Sequence, residues 1–474
     1  MIDLIVVIGY FCVMLFMGWR SRRQSADGYW VAERRYNTGR ITVSLVATIF
    51  GASSTMGVIG LGYSRGLTGA WWCLMGGLAL IPFGLFLAAR VRILAVYTLP
   101  DILRQAYGER VAVPAGLMIA LAWSGVIAAQ LIAGARLLQA LFPLYFQTAL
   151  AIVAFVFTLY TFWGGQLSVI RTDFWQFMLF VGGLLVALAF LVASGAGVWG
   201  DIPHGHFRFP VSEGFGWYDV LLFYPLIVGL PYLVGPDIYS RVLCAKDHDV
   251  ARRAALGSAL IVIPLSFLLA FFGILARGKF GAIAPEAALP ETLRLLVPMG
   301  LKGLIVAGFL GAVMSSADTC LISASTILTL NVIGPLSKLK KERHLGMTRG
   351  VVLILGALAW FMASQKQGII SSLLLGYTIF VGGVVFPTLA SFFQDKMKIT
   401  PSGALWAVVI GGGTAVLGKV QGGVVLKAVL TQPGQMFFEK ALGAHYLSLL
   451  PIFLSVLAMV VVSRITCPKN FPAA

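Results

Sequence analysis

A short polar segment interrupts a long apolar run in the second half of the chain. It reads GAVMSSADTC at 311–320 and places the hydroxyls of Ser315 and Ser316 beside each other. Buried polar groups cost several kcal/mol, roughly 2–7, unless they find partners. A hard monovalent cation takes about five oxygens of low charge, and carbonyls freed from an interrupted helix can complete such a set. The segment therefore indicates a sodium-type site that includes the Ala312 carbonyl, with hydroxyls bonded back to their own helix as the open alternative.

The composition places this segment in a membrane. Of the 474 residues, 59% are hydrophobic and 11% are charged, and apolar runs of membrane-spanning length recur from end to end. The longest mainly polar gaps between them, about twenty-odd residues, leave no room for a soluble domain. We therefore expect an all-α protein with one polytopic membrane domain over residues 1–474. The five scattered cysteines indicate neither a disulfide framework nor a metal knuckle.

Thirteen transmembrane helices are predicted. The first, at 2–19, lacks the basic start and the cleavage site of a signal peptide, so it is interpreted as a retained span. The predicted spans are 2–19, 41–63, 69–90, 111–142, 147–165, 170–194, 217–240, 252–276, 300–334, 348–365, 368–393, 401–421 and 444–464.

The basic residues predict the orientation of these spans. With the N-terminus outside, roughly two dozen of the 35 Lys and Arg fall in cytoplasmic loops, chiefly at 20–40, 90–110, 241–253 and 338–349. The C-terminus is then cytoplasmic, and the expected location is the plasma membrane, which in a bacterium is the inner membrane. The formal charge of +17 is spread over many short loops that contact anionic lipid, so nucleic acid is not an expected partner.

Two predicted spans carry helix-breaking residues in corresponding places. The span 41–63 contains GASSTMGVIGLG, and the span 217–240 contains LLFYPLIVGLPYLVGPD. Each is the first of five spans, 41–194 and 217–393, and an odd number of spans inverts the second set relative to the first. Matched broken helices in inverted halves point to a transport site. Glycines that let helices pack closely and prolines that add kinks are the alternative.

Several motifs together resemble the sodium:solute symporter family, over about residues 10–395. They are WGGQLSVIRTDFWQ at 163–176, AVMSSADT at 312–319, GVIGLGYSRG at 57–66, YTLPDILRQAYG at 97–108 and SRVLCAKD at 240–247. The resemblance implies a leucine-transporter-like fold with five plus five inverted core helices. The first repeat is then 41–194 and the second 217–393, with an extra N-terminal helix at 2–19 and two C-terminal helices within 401–464.

The same resemblance implies the ion ligands. The carbonyls of Ala47, Phe50 and Ala312 and the hydroxyls of Ser315 and Ser316 match the family's sodium site. Asp173 matches an acidic residue that holds a second sodium in some members, although a capping box with Gln176 at a helix start explains it equally well. Asp318 either steers sodium or pairs with Arg171 or Arg241.

The implied solute pocket is lined by residues of several spans. They are Ser53, Ser54 and Thr55 at the first break, Tyr232 at the second, Gln130 and Tyr377. The last three could instead join helices together. Sugar-carrying members place long carboxylate and amide side chains where this chain has Ser53 and Ser54, and IAGARLL at 132–138 is similar to the proline-carrying branch. An amino acid or a small carboxylate is therefore the favoured solute.

Other classes of function fit the sequence less well. The five histidines form no pattern of metal or hydrolytic residues, and we find no phosphate-binding loop. We therefore expect a symporter and not an enzyme, with sodium as coupling ion, no organic cofactor, and the lipid bilayer and a small molecule as partners. No obligatory protein partner is indicated. A membrane solute sensor of the same fold, a sugar or vitamin symporter and a channel remain alternatives.

Overall fold

A computed structural model describes residues 2–195, 197–200, 202–337, 341–365, 368–419, 424–443 and 445–467. Over these residues the secondary structure is helical, apart from two isolated β-bridges. The helices up to the first long polar loop are α1 (Ile2–Arg20), α2 (Ala26–Val31), α3 (Thr38–Ile49), α4 (Val58–Arg65), α5 (Trp71–Pro82), α6 (Ala88–Ile93), α7 (Leu99–Tyr107), α8 (Glu109–Leu141), α9 (Phe146–Ala193) and α10 (Gly197–Gly200).

The second half of the chain continues in the same way. Its helices are α11 (Leu230–Val234), α12 (Pro236–Val242), α13 (His248–Phe280), α14 (Ala288–Leu296), α15 (Leu301–Ile327), α16 (Gly334–Ser337), α17 (Lys341–Gln365), α18 (Ile369–Phe380), α19 (Phe386–Ser391), α20 (Gln394–Met397), α21 (Pro401–Trp406), α22 (Gly412–Lys419), α23 (Val424–Leu442) and α24 (Tyr446–Thr466). Short π-helical segments join several of them, among them Ser53–Gly57 and Pro225–Gly229.

Eleven helical stretches in the described chain are long and apolar enough to cross a bilayer. The stretch 53–93 joins α4, α5 and α6 and covers the end of one predicted span and all of the next. The count of thirteen spans stays a prediction. The basic loop at 338–349, used above for the orientation, lies partly outside the described residues.

Gly165 divides the longest helix into two. Helix α9 has 48 residues, about 72 Å at 1.5 Å per residue, which is more than twice the thickness of a bilayer core. At Gly165 the backbone leaves helical geometry, with φ 56° and ψ −173°, a left-handed φ that glycine adopts without a Cβ clash. The spans predicted at 147–165 and 170–194 correspond to the two sides of this glycine. The ring of Tyr29 lies where a Cβ would be added to it.

Both predicted helix breaks are present. The first follows α3, where Phe50 has φ −79° and ψ 51° and the chain resumes as a π-helix at Ser53. The second separates α11 from α12 at Gly235, which has extended backbone with ψ 133°. Glycine and proline at these positions weaken the helix and remove backbone donors, which explains why the breaks occur there.

Helix α15 forms the centre of the molecule. It packs against α9, α8, α3 and α12, and the apolar window of the stretch 301–333 is buried over its full length. The hydroxyl-bearing segment at 311–320 therefore faces protein on all sides, where its polar groups can be held by neighbouring helices.

Helices α4 and α13 approach each other very closely through glycines. A Cβ built on Gly273 would collide with the carbonyl of Ile59 and lie 2.5 Å from the backbone nitrogen of Tyr63. A Cβ on Gly62 would collide with the Ala270 carbonyl. Small residues permit such contacts between membrane helices, and this pair attaches the first broken helix to α13.

The substitution Gly273→Ala is expected to destabilise the protein by about 1–3 kcal/mol or more, because the methyl group must push two backbones apart. The measurement is the thermal unfolding midpoint of the detergent-purified protein. Gly182→Ala is the matched control, since a Cβ there meets nothing within 4 Å. Equal midpoints for the two variants would show that the close contact is not required.

The longest of the described helices that lie outside the predicted spans is α23. Helix α23 (Val424–Leu442) occupies a segment interpreted from the sequence as a polar connection, because it carries Lys427, Gln432, Pro433, Glu439 and Lys440. These residues interrupt its apolar pattern, which is the physical reason that hydropathy alone did not indicate a helix.

At the start of α13, Asp247 caps the helix by accepting a hydrogen bond from the Val250 amide at 2.8 Å. This hydrogen bond holds the pKa of the exposed Asp247 carboxyl below its usual value.

Candidate ion and solute site

The end of α3 presents a row of backbone carbonyls that have no intrahelical donor. The last regular helical bond runs from the Phe50 amide to the Val46 carbonyl at 3.0 Å. The next backbone bonds of the segment start only beyond the break, with Thr55 donating to Gly51 at 3.0 Å. The carbonyls of residues 47–50 therefore lie past the last intrahelical donor. Ala47 and Phe50, two of the predicted sodium ligands, are the first and last of this row.

Helix α15 faces this row of carbonyls. The Ser316 hydroxyl donates to the Thr48 carbonyl at 2.6 Å and lies 3.4 Å from the Ala312 carbonyl of its own helix. The structure thus brings Ser316, and through it the Ala312 carbonyl, to the end of α3 at Thr48. The carbonyl of Thr48 was not among the residues predicted from the sequence.

Ser315 points to a different partner from its neighbour. Its hydroxyl donates to a carboxylate oxygen of Asp173 at 2.6 Å, and the hydroxyl of Ser44 donates to the other oxygen. Asp173 lies inside α9, so the capping-box alternative is wrong: no helix starts there, and the Gln176 amide donates to Tyr10 at 3.0 Å. The two predicted ion sites are therefore joined through Ser315.

A fully buried arginine neutralises Asp173. A guanidinium nitrogen of Arg241 lies 3.4 Å from the Asp173 carboxylate, and both side chains have no exposed area. Arg241 also donates to the Thr48 hydroxyl at 3.0 Å and to the side chains of Gln166 and Thr319. This network connects α3, α9, α12 and α15 directly beside the proposed sodium ligands.

Of the two alternatives for Asp318, the pairing with Arg171 or Arg241 is wrong. The Asp318 carboxylate accepts from the Thr161 hydroxyl at 2.6 Å, and its second oxygen has no partner among the described residues. Arg241 pairs with Asp173 instead, and Arg171 is exposed. The sequence placed Asp318 on the face of Ser315, but it could not tell which neighbouring helix that face meets.

A narrow cavity lies next to the proposed ion ligands and is lined in part by Ser316. It leaves about 20 Å³ in which the centre of a water molecule fits, which is room for one or two waters. Side chains must move apart before an organic solute can enter. Its walls come from Thr48, Ile49, Gly51, Ser53, Ser54, Trp123, Val126, Gln130, Pro231, Tyr232, Asp237, Ile238, Ser316, Cys320, Leu373 and Tyr377.

Five of the six predicted solute-binding residues line this cavity, and Thr55 does not. They are Ser53, Ser54, Gln130, Tyr232 and Tyr377. The hydroxyl of Thr55 donates back to the Gly51 carbonyl at 2.7 Å, as hydroxyls often do in membrane helices.

Sequence reasoning missed Trp123 and Asp237 as lining residues. Asp237 follows the proline that restarts the second broken helix, so the GPD triplet at 235–237 was the available signal. Trp123 gave no signal, because an aromatic residue on an apolar helix usually packs in a core.

Comparisons with known proteins show the family and the fold of this chain. The model of the sodium:solute symporter family matches residues 29–411. The chain belongs to the sodium:solute symporter family. Sodium/glucose cotransporter 4 of Homo sapiens is 26% identical over 479 residues, which cover 88% of this chain and 68% of that protein. Sodium/myo-inositol cotransporter 2 of Oryctolagus cuniculus is 24% identical over 529 residues, covering 99% of this chain and 77% of the relative.

Solved structures show the same fold. A sodium-coupled sialic acid symporter, described in a substrate-bound outward-open state with a novel sodium site, has a TM-score of 0.75 at 18% identity over 99% of both chains. MhsT in complex with L-phenylalanine has a TM-score of 0.51 at 14% identity, covering 90% of this chain and 98% of that one. The predicted leucine-transporter-like fold is confirmed, and this family member is a multi-pass membrane transporter.

Proposed function

We propose that this symporter couples sodium entry to the uptake of a small organic solute by alternating access. The observation that carries the proposal is the position of Ser316, whose hydroxyl contacts the end of α3 and also lines the solute cavity. A sodium ion held by Ala47, Phe50, Ala312, Ser315 and Ser316 would therefore lie beside a bound solute, so that each stabilises the site of the other.

The ion also connects two helices that can move. Its proposed ligands lie on the broken α3 and on α15, so occupancy favours the state in which these helices are together. Release follows when they separate on the opposite side of the membrane. The orientation with the N-terminus outside, and a bacterial inner-membrane location, belong to this proposal as predictions.

Asp173 is the candidate ligand for a second sodium. Its carboxylate already has a counter-charge, Arg241, and two hydroxyl donors, Ser315 and Ser44. A second ion must therefore compete with the guanidinium for the same oxygens. We propose one sodium per cycle through the site at Ser316, with Asp173 as a second site only where Arg241 moves away.

The sequence indicates the identity of the solute less directly than that of the coupling ion. An amino acid or a small carboxylate is the class that the sequence favours, while the related proteins are named for glucose and myo-inositol. The uptake experiment therefore tests three classes of solute: amino acids, small carboxylates, and sugars or polyols. An organic cofactor, a catalysed reaction and an obligatory protein partner are not part of the proposed cycle.

Accumulation in sealed proteoliposomes tests the coupling. One sodium entering down about 100 mV gains roughly 2.3 kcal/mol, and a tenfold sodium gradient adds about 1.4 kcal/mol. Together they could concentrate a neutral solute by a few hundredfold, and a sodium ionophore should abolish the accumulation. A channel would only equilibrate the solute and a sensor would bind it without net movement, so either result would contradict the proposed function.

A further inference from the structure

The described walls of the solute cavity contain one acidic side chain and no basic one. Among the described residues that line it, Asp237 is the acid, and no lysine, arginine or histidine is present. The buried cation nearest along the same helix is Arg241, one turn further on, and its donors point to Thr48, Gln166, Thr319 and Asp173. Nothing positive in the described walls of the cavity is therefore available to receive an anion.

The local structure explains why a carboxylate is tolerated at this position. Asp237 lies in the first turn of α12, directly after the break at Gly235, where the N-terminal amides of a helix favour negative charge. No ion pair in the described part of the chain includes this side chain. The backbone amides of Asp237 and Ile238 donate to its carboxylate, and because a carboxylate offers about four acceptor positions, Asp237 retains capacity to accept hydrogen bonds from a ligand.

The other polar groups of the cavity are neutral. The Gln130 carbonyl oxygen accepts from the Ala52 amide at 2.7 Å, which leaves the NH₂ group of Gln130 as a donor. The indole N–H of Trp123 has no hydrogen-bond partner within the described residues. The hydroxyls of Tyr232 and Tyr377 can donate or accept. A ligand therefore meets neutral polar groups throughout the cavity, with a charge only at Asp237.

We infer that the solute places an N–H or O–H donor group on the Asp237 carboxylate, and that carboxylate anions are excluded. The ammonium group of a zwitterionic amino acid and the hydroxyls of a polyol both supply such donors. This inference rests on the proposed function, because it names the solute class of the same cavity. It removes the small carboxylates from the classes that the sequence favoured.

The neighbouring ion supports a solute without net charge. A sodium ion at Ser316 and the carboxylate of Asp237 cancel each other, so a neutral polyol or a zwitterion leaves the occupied site electrically balanced. A carboxylate anion adds a negative charge to this buried site that no wall residue balances, and an organic cation adds a positive one, so each is expected to bind less well than a neutral or zwitterionic solute.

A binding panel on the purified full-length protein tests this inference. Thermal shifts are measured with sets of zwitterionic amino acids, polyols, monocarboxylates and organic cations, each in sodium and again in potassium. We expect stabilisation by a member of the first set or of the second, which tells the two donor sources apart. Binding of a monocarboxylate or an organic cation as the best ligand overturns the inference, as does a lack of binding by every amino acid and polyol.

The panel also separates this inference from the proposed function. A polyol or amino acid that binds equally well in sodium and potassium supports the role of Asp237 and contradicts sodium coupling. A monocarboxylate that binds only with sodium does the reverse.

The variant Asp237→Asn tests the residue itself. We expect the best ligand of the panel to bind about 10- to 100-fold more weakly, as for the loss of a charge-assisted hydrogen bond, and the discrimination against monocarboxylates to decrease. Sodium alone should still stabilise the variant. Asp249→Asn is the matched control, because it removes an exposed acid from the first turn of α13 and should change nothing. Unchanged ligand affinity in Asp237→Asn overturns the inference, and the wild-type panel decides the solute class even if this variant does not fold.

Discussion

Removing both hydroxyls, in the double variant Ser315→Ala and Ser316→Ala, is expected to weaken sodium binding by about 100-fold or more in a protein that still folds. Each hydroxyl that contacts an ion contributes roughly 1.5–3 kcal/mol, and two such losses together reach this range. Alanine is the best helix former, so α15 itself is preserved. The uptake rate and the thermal shift, each measured against sodium concentration, give the affinity.

A serine elsewhere on α15 provides the control for this variant. Ser325 donates to the carbonyl of Ile322 in its own helix at 3.1 Å, so Ser325→Ala removes a buried hydroxyl without touching the proposed ion ligands. We expect its sodium dependence to equal that of the wild type. A double variant that is monodisperse and keeps the wild-type sodium response would disprove the site at Ser315 and Ser316.

The second large effect concerns the buried ion pair. Arg241→Gln is expected to destabilise the protein by about 3–5 kcal/mol, because it leaves the Asp173 carboxylate buried without a counter-charge. Adding Asp173→Asn removes that charge and should restore most of the lost stability. The thermal unfolding midpoints of the wild type, both single variants and the double variant form a double-mutant cycle.

Arg253→Gln is the control, since this arginine is exposed on α13 and such substitutions usually change stability by less than about 0.5 kcal/mol. Additive losses in the cycle, with no rescue by Asp173→Asn, would show that Arg241 and Asp173 do not depend on each other.

The double variant Arg241→Gln with Asp173→Asn also tests whether a second sodium binds at Asp173. Unchanged cooperativity of its sodium dependence is expected for one sodium per cycle, and a loss of cooperativity would assign an ion to Asp173.

These predictions concern one connected unit. Thr48 joins its parts, because its carbonyl accepts from Ser316 and its hydroxyl accepts from Arg241. Arg241 lies on α12, one turn after Asp237, and α12 itself begins at the second helix break. A change at the sodium ligands therefore has a direct route of contacts to the helix that carries the solute-cavity carboxylate, and the double-mutant cycle above measures the coupling along part of that route.

The sequence by itself determined the features that depend on local chemistry. Apolar runs of spanning length predicted the membrane helices, because a bilayer offers no partner for an unpaired backbone group. Glycine and proline at 51–62 and 225–236 predicted both breaks, because these residues weaken a helix wherever it lies. Ser315 and Ser316 were recognisable because two adjacent hydroxyls and a carbonyl one turn before them stand on the same segment of helix.

The tertiary structure decided which residues from different helices meet. Arg241 pairs with Asp173 and not with Asp318, Asp237 reaches the solute cavity, and Thr55 bonds back to its own helix. A side chain on a buried helix can face any of several neighbours, and the choice depends on how each helix is rotated and where it crosses the others. Those rotations are set by close contacts such as that of Gly273 with the backbone of α4, which join residues hundreds of positions apart and leave no periodic pattern in the chain.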